Sequence, residues 1–295
     1  MNTICVYTTL FGNYETLNEN LPNLDGVDYV CITDSSSLRS SVWNVCCVTP
    51  FVPGDIVRSQ RHAKICPEIY SCVSSYEFLV YIDNCILVNS RLVELISSFR
   101  QSGSQLMAVN HSYRSSLYEE FLAVAYSHKD NIGVISKQLE HYVSYFPRLL
   151  TEKPLWTGIL FRRPLEREML KLSQIWYSQI LRFSRRDQLS LQVAIERTEA
   201  LCFRIDLNNF QSEYHQWPVN VGRKSLPLDS QIYAEIPLAE NLLIHQSLML
   251  EKLNLEKRLV ELEVAFASRG LTENGSSQSM LLRGLRKLKQ ILCRL

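Results

Sequence analysis

The sequence predicts an α/β fold in which a mainly parallel sheet is flanked by helices and followed by a C-terminal helical extension. Three observations carry this expectation. Short runs rich in Val, Ile, Tyr and Cys alternate with helical stretches through the N-terminal half, the order that builds a parallel sheet. Those runs end in polar or turn residues, where a strand leaves its sheet. With 295 residues, 46% of them hydrophobic, the chain also has ample apolar material for a core.

In chain order, strands are predicted at Ile4 to Thr9, Val27 to Thr33, Val42 to Val48, Phe78 to Ile82 and Gln105 to Val109, with Phe78 to Ile82 central because it is apolar throughout. Asp55 is placed to cap a helix through Ile56 to Ile65 that Pro67 stops, and Ser90 to cap another running up to Gly103. Glu119 to Tyr126 and Ile132 to Tyr145 read as helices, and Leu155 to Phe161 as a strand. Pro164 suits the first residue of a long helix to Phe183, since an N–H there would have no partner anyway. Asp187 opens a further helix, and Leu201 to Ile205 returns to strand before an aromatic loop around Tyr214, His215, Trp217 and Pro218.

After Pro237 the pattern changes. Three parts are expected: residues 1–237 as the α/β domain, 238–269 as a helical segment with a short heptad seam, and 270–295 as a breaker followed by a basic amphipathic helix. The seam of Leu248, Lys252, Leu255, Leu259, Leu262 and Phe266 suits packing on its own domain or a homodimer through residues 248–266. In the tail, residues 280–295, Arg283, Arg286, Lys287, Lys289 and Arg294 lie among leucines with no acid. Such a segment suits an anionic membrane surface or an acidic partner groove.

Charge and cysteine content exclude whole classes. Lys+Arg 31 against Asp+Glu 30 leaves a formal charge of +1, which argues against a nucleic-acid partner. No apolar run approaches the ~18 residues of a spanning helix, and Met1-Asn2-Thr3 runs straight into a strand pattern without a secretory signal. The nine cysteines are odd in number, sit mostly inside apolar runs and include no CxxC pair. Neither a disulfide framework nor a zinc site is predicted, and a reducing, cytoplasmic setting is expected. The tail adds peripheral contact at the inner face of a membrane.

In a parallel sheet, ligands bind where strands end at their carboxyl edges. The first strand exits through Thr8-Thr9-Leu10-Phe11-Gly12, and the second leaves Asp34 at its end. Arg58, Arg61 and Lys64 recur every three residues on one helix flank with no acid between Asp55 and Glu68; three such cations suit a pyrophosphate, whose leaving charge they would offset. Tyr81-Ile82-Asp83-Asn84-Cys85 puts a carboxylate at the end of the central strand, where Mg²⁺ or Mn²⁺ could compensate it. His111 and Arg114 follow the next strand, Glu119 and Glu120 the helix beyond, and Arg185-Arg186-Asp187-Gln188 open a later one.

Taken in order, Val6-Tyr7-Thr8-Thr9-Leu10-Phe11-Gly12-Asn13-Tyr14-Glu15, Asp28-Tyr29-Val30-Cys31-Ile32-Thr33-Asp34, Arg61 and Lys64, Tyr81-Ile82-Asp83, His111 with Arg114 and Tyr118-Glu119-Glu120, Gly158-Ile159-Leu160-Phe161-Arg162-Arg163, Trp176, and Arg186-Asp187-Gln188-Leu189-Ser190 resemble a glycosyltransferase-like family. It is the family long catalogued as domain of unknown function 616, with plant mucilage-related and bacterial members. The resemblance spans roughly residues 3 to 215 and rests on the number of ordered motifs. It implies a Rossmann-like domain of the GT-A type and a hexosyl- or uronosyltransferase that moves a sugar from a nucleotide-sugar donor, a UDP-sugar first, to a glycan or lipid-linked acceptor, with retention.

The same resemblance implies roles. Thr8, Phe11, Gly12 and Asp34 would hold the nucleotide, Arg58, Arg61 and Lys64 the diphosphate, and Asp83 the donor sugar or a metal. His111, Arg114, Glu119, Glu120 and Gly158 would serve the acceptor or sugar, and Asp187 with Gln188 the chemistry. His215 would complete a Mn²⁺ or Mg²⁺ site with Asp83, although Cys85 stands where an Asp-x-Asp motif carries an oxygen. As carboxylates kept for chemistry, Asp83 and Asp187 are expected to be dispensable for folding. The alternative is a GT-A-fold scaffold protein without catalysis that works through its C-terminal helices.

Overall fold

Strand β4 (Phe78–Ile82) is apolar in every residue and buried in every residue, so it lies deep in the sheet rather than at an edge. A computed structural model of the chain, which describes residues 3–224 together with Arg258 and Glu261, places it fourth of seven strands. β1 (Ile4–Leu10), β2 (Val27–Thr33) and β3 (Asn44–Cys47) lie on one side of it; β6 (Leu106–Asn110), β7 (Leu155–Arg162) and β8 (Cys202–Ile205) lie on the other. The order is β3-β2-β1-β4-β7-β6-β8. β1 pairs parallel with β2 and β4, β2 with β3, and β6 with β8, whereas β7 runs antiparallel between β4 and β6. The fold is α/β and Rossmann-like. The antiparallel β7 departs from the sequence expectation only in direction, which an alternating run does not encode.

The helices are α1 (Ile56–Ile65), α2 (Leu92–Ser102), α3 (Leu117–Tyr126), α4 (Ile132–Tyr145), α5 (Pro147–Thr151), α6 (Arg167–Arg182) and α7 (Leu191–Glu196). Asp55 caps α1 as expected, its carboxylate accepting from the Arg58 N–H at 2.9 Å. Two expectations move. Ser90 does not cap α2, which starts after Arg91 without a side-chain cap, and α6 starts at Arg167, three residues past Pro164. Asp187 opens a 3-10 turn, Asp187–Leu189, before α7. A two-stranded sheet, β5 (Leu87–Val88) with β9 (His215–Gln216), has too short an apolar pattern to read in advance.

Two buried clusters cover the faces of the sheet. One gathers Tyr7, Phe11, Ala63, Ile65, Tyr81 and Trp176; the other gathers Val6, Leu10, Val80, Ile82, Phe99 and Trp156. Alternation along β1 thus puts Tyr7, Thr9 and Phe11 on the α1 side and Thr8 on the other. Among the described residues no helix is long and apolar enough to cross a membrane. The chain divides into two compact units, Met1–Glu235 and Ile236–Leu295. Of the second, Arg258 and Glu261 are helical and exposed; the segments predicted at 238–269 and 270–295, with the seam at 248–266 and the tail at 280–295, otherwise lie outside the described residues.

Gly158 in β7 leaves room for the ring of Trp156, two residues earlier on the same strand, and a Cβ there would collide with that ring. Gly158→Ala is expected to lower the unfolding free energy by about 1–3 kcal/mol through overpacking, read by urea denaturation; an unchanged midpoint would contradict this packing.

Candidate functional site

Helix α1 is fixed at its C-terminal end by the sheet beneath it. The Tyr7 hydroxyl donates to the Lys64 carbonyl at 2.7 Å, and the fully buried Arg162 donates to the Ile65 carbonyl at 2.9 Å. These donors satisfy carbonyls that the helix end leaves open, and the Arg162 charge complements the helix dipole. Held in this way, α1 turns Arg61 and Lys64, one turn apart, toward Asp187. Lys64, 1% exposed, places Nζ 2.6 Å from Asp187 Oδ2 and 3.7 Å from Asp83 Oδ1. Its ammonium also lies 4.5 Å from the centroid of the Tyr81 ring. Arg61 Nε stands 3.1 Å from Asp187 Oδ1.

The turn that carries Asp187 is positioned from α6, whose buried Trp176 indole donates to the Asp187 carbonyl at 2.9 Å. Burial pushes the Asp187 pKa up, but Arg61, Lys64 and Arg186 more than offset this and hold it well below the usual carboxylate range. The group is therefore ionised at every physiological pH. Its neighbour Arg186 has the opposite experience: burial and the Arg61 charge pull its pKa down. Arg186 makes no ion pair among the described residues, and its buried Nε has no hydrogen-bond partner. Arg185 turns away and pairs with Asp130 at 3.4 Å. The cluster thus holds one guanidinium without a direct counter-ion.

Asp83 forms the open side of the cluster, with its side chain 35% exposed. Its backbone N–H donates to the Gly158 carbonyl at 2.9 Å, and Oδ1 accepts from the Tyr81 hydroxyl at 2.5 Å. Oδ2 makes no hydrogen bond among the described residues. Next to the cluster, Glu120 pairs with Arg114 at 3.3 Å and lies 3.7 Å from His111 Nε2. Burial raises the Glu120 pKa against the pull of Arg114 and Arg186, and burial together with Arg114 lowers that of His111 to about 4, so its ring is neutral at neutral pH.

Of the residues singled out in the sequence, Arg61, Lys64, Asp83 and Asp187 come together. Others take different places. Arg58 leaves the flank it shares with Arg61: it pairs with Asp55 at 2.6 Å and donates to the carbonyls of Ile180 and Phe183, closing the end of α6. The expected trio of unpaired cations is thus corrected, since Arg58, Arg61 and Lys64 each have a carboxylate partner. Thr8 and Phe11 are buried core residues, and it is Thr9 that meets the site, its hydroxyl 3.5 Å from that of Tyr81. Asp34 accepts from the Gly12 N–H at 2.9 Å and shapes the first strand exit. Gly12, at φ 80°, leaves no room for a Cβ, which would lie 2.8 Å from Ile56.

Glu119 accepts from the Ser115 N–H at 2.7 Å while its own N–H donates to Ser116 Oγ, so it caps α3. Gly158 positions Asp83 through its carbonyl. Gln188 is half-buried beside Asp187, without a hydrogen bond among the described residues. His215 is no metal ligand: Nδ1 bonds Ser212 Oγ at 2.8 Å, Nε2 bonds the Asn209 carbonyl at 3.0 Å, and the ring stacks on Trp156. Asp83 has Lys64 where a metal would stand, and among the described residues no three His, Cys, Asp or Glu side chains converge on one point. The donor set does not fit Mn²⁺ or Mg²⁺.

Sequence reasoning placed Arg186, Tyr81 and Thr9 within motifs without giving them a role, and it missed Gln60, whose amide donates to the Thr9 carbonyl at 3.0 Å. The adjacency of Arg186 to Asp187 was the available signal, and strand alternation was the signal for Thr9. A concavity of about 460 Å³ runs along β5 and β9, lined by residues that include Asn20, Asn89, Ser90, Gln211, Ser212 and Gln216 but by none of the charged cluster, and with no charged side chain. No protein-family model matches the chain, and no curated protein matches it in sequence.

Removing Asp187 would leave Arg61 and Lys64 facing each other, so the expectation that it is dispensable for folding is withdrawn. Asp187→Asn should lower stability at pH 7 by about 3–5 kcal/mol. Because the folded pKa lies below the ordinary 3.8, the stabilisation is complete above that value and fades as pH falls through it. Urea denaturation at pH 7 and pH 3 should show the deficit of the variant shrinking at the lower pH. Equal stability of the two proteins at pH 7 would contradict the ion-pair account.

Proposed function

We propose that the chain is a nucleotide-sugar-dependent glycosyltransferase, in which a nucleoside diphosphate, UDP first, sits across the carboxyl ends of β1 and β4. The observation that carries this reading is Arg186, which stands beside Arg61, Lys64 and Asp187 with no close ion pair among the described residues and with its Nε unbonded. A cluster with an excess of fixed positive charge at a strand-end crevice suits a diphosphate leaving group. It would stabilise the charge that develops as the bond from sugar C1 to the diphosphate oxygen breaks. The ordered motifs that resemble the 616 family support the same assignment, and a GT-A arrangement belongs to it.

In this reading Asp83 is the carboxylate that meets the donor sugar, since Oδ2 is free to accept from a sugar hydroxyl. Asp187 is a positioning residue. A carboxylate locked between two cations and far below its ordinary pKa is a poor general base. With no base there, the acceptor hydroxyl proton passes to the departing diphosphate oxygen on the same face of the sugar, which gives retention. The acceptor glycan or lipid-linked sugar is assigned to the uncharged groove along β5 and β9, where amides and hydroxyls can exchange hydrogen bonds with sugar hydroxyls. Residues 280–295 would hold the enzyme against an anionic membrane.

The test is release of UDP from a panel of UDP-sugars. Asp83→Asn should lower turnover at least about 100-fold while changing unfolding free energy by about 1 kcal/mol or less, because Lys64 keeps Asp187. Full turnover in the variant would remove Asp83 from the site. Absence of turnover by the unaltered protein with every nucleotide sugar would favour the scaffold reading.

A further inference from the structure

Two carboxylates at neighbouring strand and turn ends, Asp83 and Asp187, are the arrangement that commonly calls for a divalent cation. Here the space between them holds an ammonium. Lys64 Nζ reaches both, at 3.7 Å and 2.6 Å. It is enclosed from below by the Tyr81 ring, and its main chain is fixed by the Tyr7 hydroxyl. Arg61 takes the remaining Asp187 oxygen. Among the described residues no third ligand completes a site: both nitrogens of His215 are bonded within its own loop, Asn84 Oδ1 accepts from the Asn18 N–H at 2.8 Å, and Glu15 is paired with Arg223 at 2.8 Å. Cys85 is a buried thiol, and sulfur is a poor ligand for a hard cation.

Resting on the glycosyltransferase reading, we infer that nucleoside diphosphate binding at this site needs no divalent cation: Lys64 is the resident counter-charge of Asp83 and Asp187, and Arg61 and Arg186 are that of the diphosphate. With the neighbouring Arg114–Glu120 pair included, Arg61, Lys64, Arg114 and Arg186 face Asp83, Asp187 and Glu120, so the site carries an excess of one positive charge before any ligand arrives. A divalent ion brought up to Asp83 would be repelled by Lys64 and would have to displace it from a buried contact with Asp187. Arg186 is the group left to answer the ligand. Its guanidinium can donate to two diphosphate oxygens at once, a geometry that a Lys cannot reproduce.

Calorimetric titration of the full chain with UDP, once in EDTA and once in millimolar MnCl₂, tests this. The dissociation constants should agree within about twofold. In EDTA, Arg186→Ala should weaken UDP about 10- to 100-fold, with an unaltered circular-dichroism spectrum to show that the partly buried side chain was removed without unfolding. Tightening by Mn²⁺ of about tenfold or more, or an Arg186→Ala titration like that of the unaltered protein, would overturn the inference and leave the glycosyltransferase reading standing. No heat with UDP in either buffer would instead remove the nucleotide-sugar reading, and this inference with it.

Discussion

The contact of Lys64 with Asp187 is the interaction on which the carboxyl edge of the sheet depends. Lys64 comes from the last turn of α1, Asp187 from the turn after α6, and Asp83 from the end of β4, so one ammonium ties together three segments distant in sequence. An ion pair buried this deeply contributes little net stability when compared with apolar packing, but breaking it from one side leaves an uncompensated charge. Its effect is therefore one of registration. With α1 anchored through Tyr7 and Arg162, and the Asp187 turn anchored through Trp176, the charged atoms have little freedom to rearrange.

That registration sets the chemistry available. Asp187 is held ionised and enclosed, which takes it out of proton transfer and leaves it to orient Arg61 and Lys64. Asp83 is held at its backbone by Gly158 and at one oxygen by Tyr81, and keeps the other oxygen open. Arg186, next in sequence to the most strongly paired acid, makes no close ion pair among the described residues and leaves its Nε unbonded. A preorganised positive excess of this kind acts without reorganisation when charge develops nearby. The charged cluster and the uncharged, amide-lined groove along β5 and β9 also differ in the chemistry they can recognise.

Much of this was legible in the sequence, and the losses have physical reasons. Apolar runs and the caps at Asp55 and Gly103 placed the strands and helices closely, because local periodicity and cap chemistry act over a few residues. The direction of β7 was not legible, because alternation looks the same read either way. Spacing by three put Arg58, Arg61 and Lys64 on one flank, but spacing says nothing about which neighbour each meets: Arg58 found the end of α6 and the others found Asp187. Thr8 was chosen over Thr9 although the two alternate across the sheet. His215 read as a ligand because a lone His carries no sign of what its ring nitrogens already bond; here both are taken by its own loop.

The most direct test of the account is a crystal structure of the protein with UDP bound. The account predicts diphosphate oxygens within about 3 Å of the guanidinium groups of Arg186 and Arg61, with Lys64 still seated between Asp83 and Asp187. Diphosphate bound elsewhere, or bound through a metal ion on Asp83 with Lys64 displaced, would contradict it.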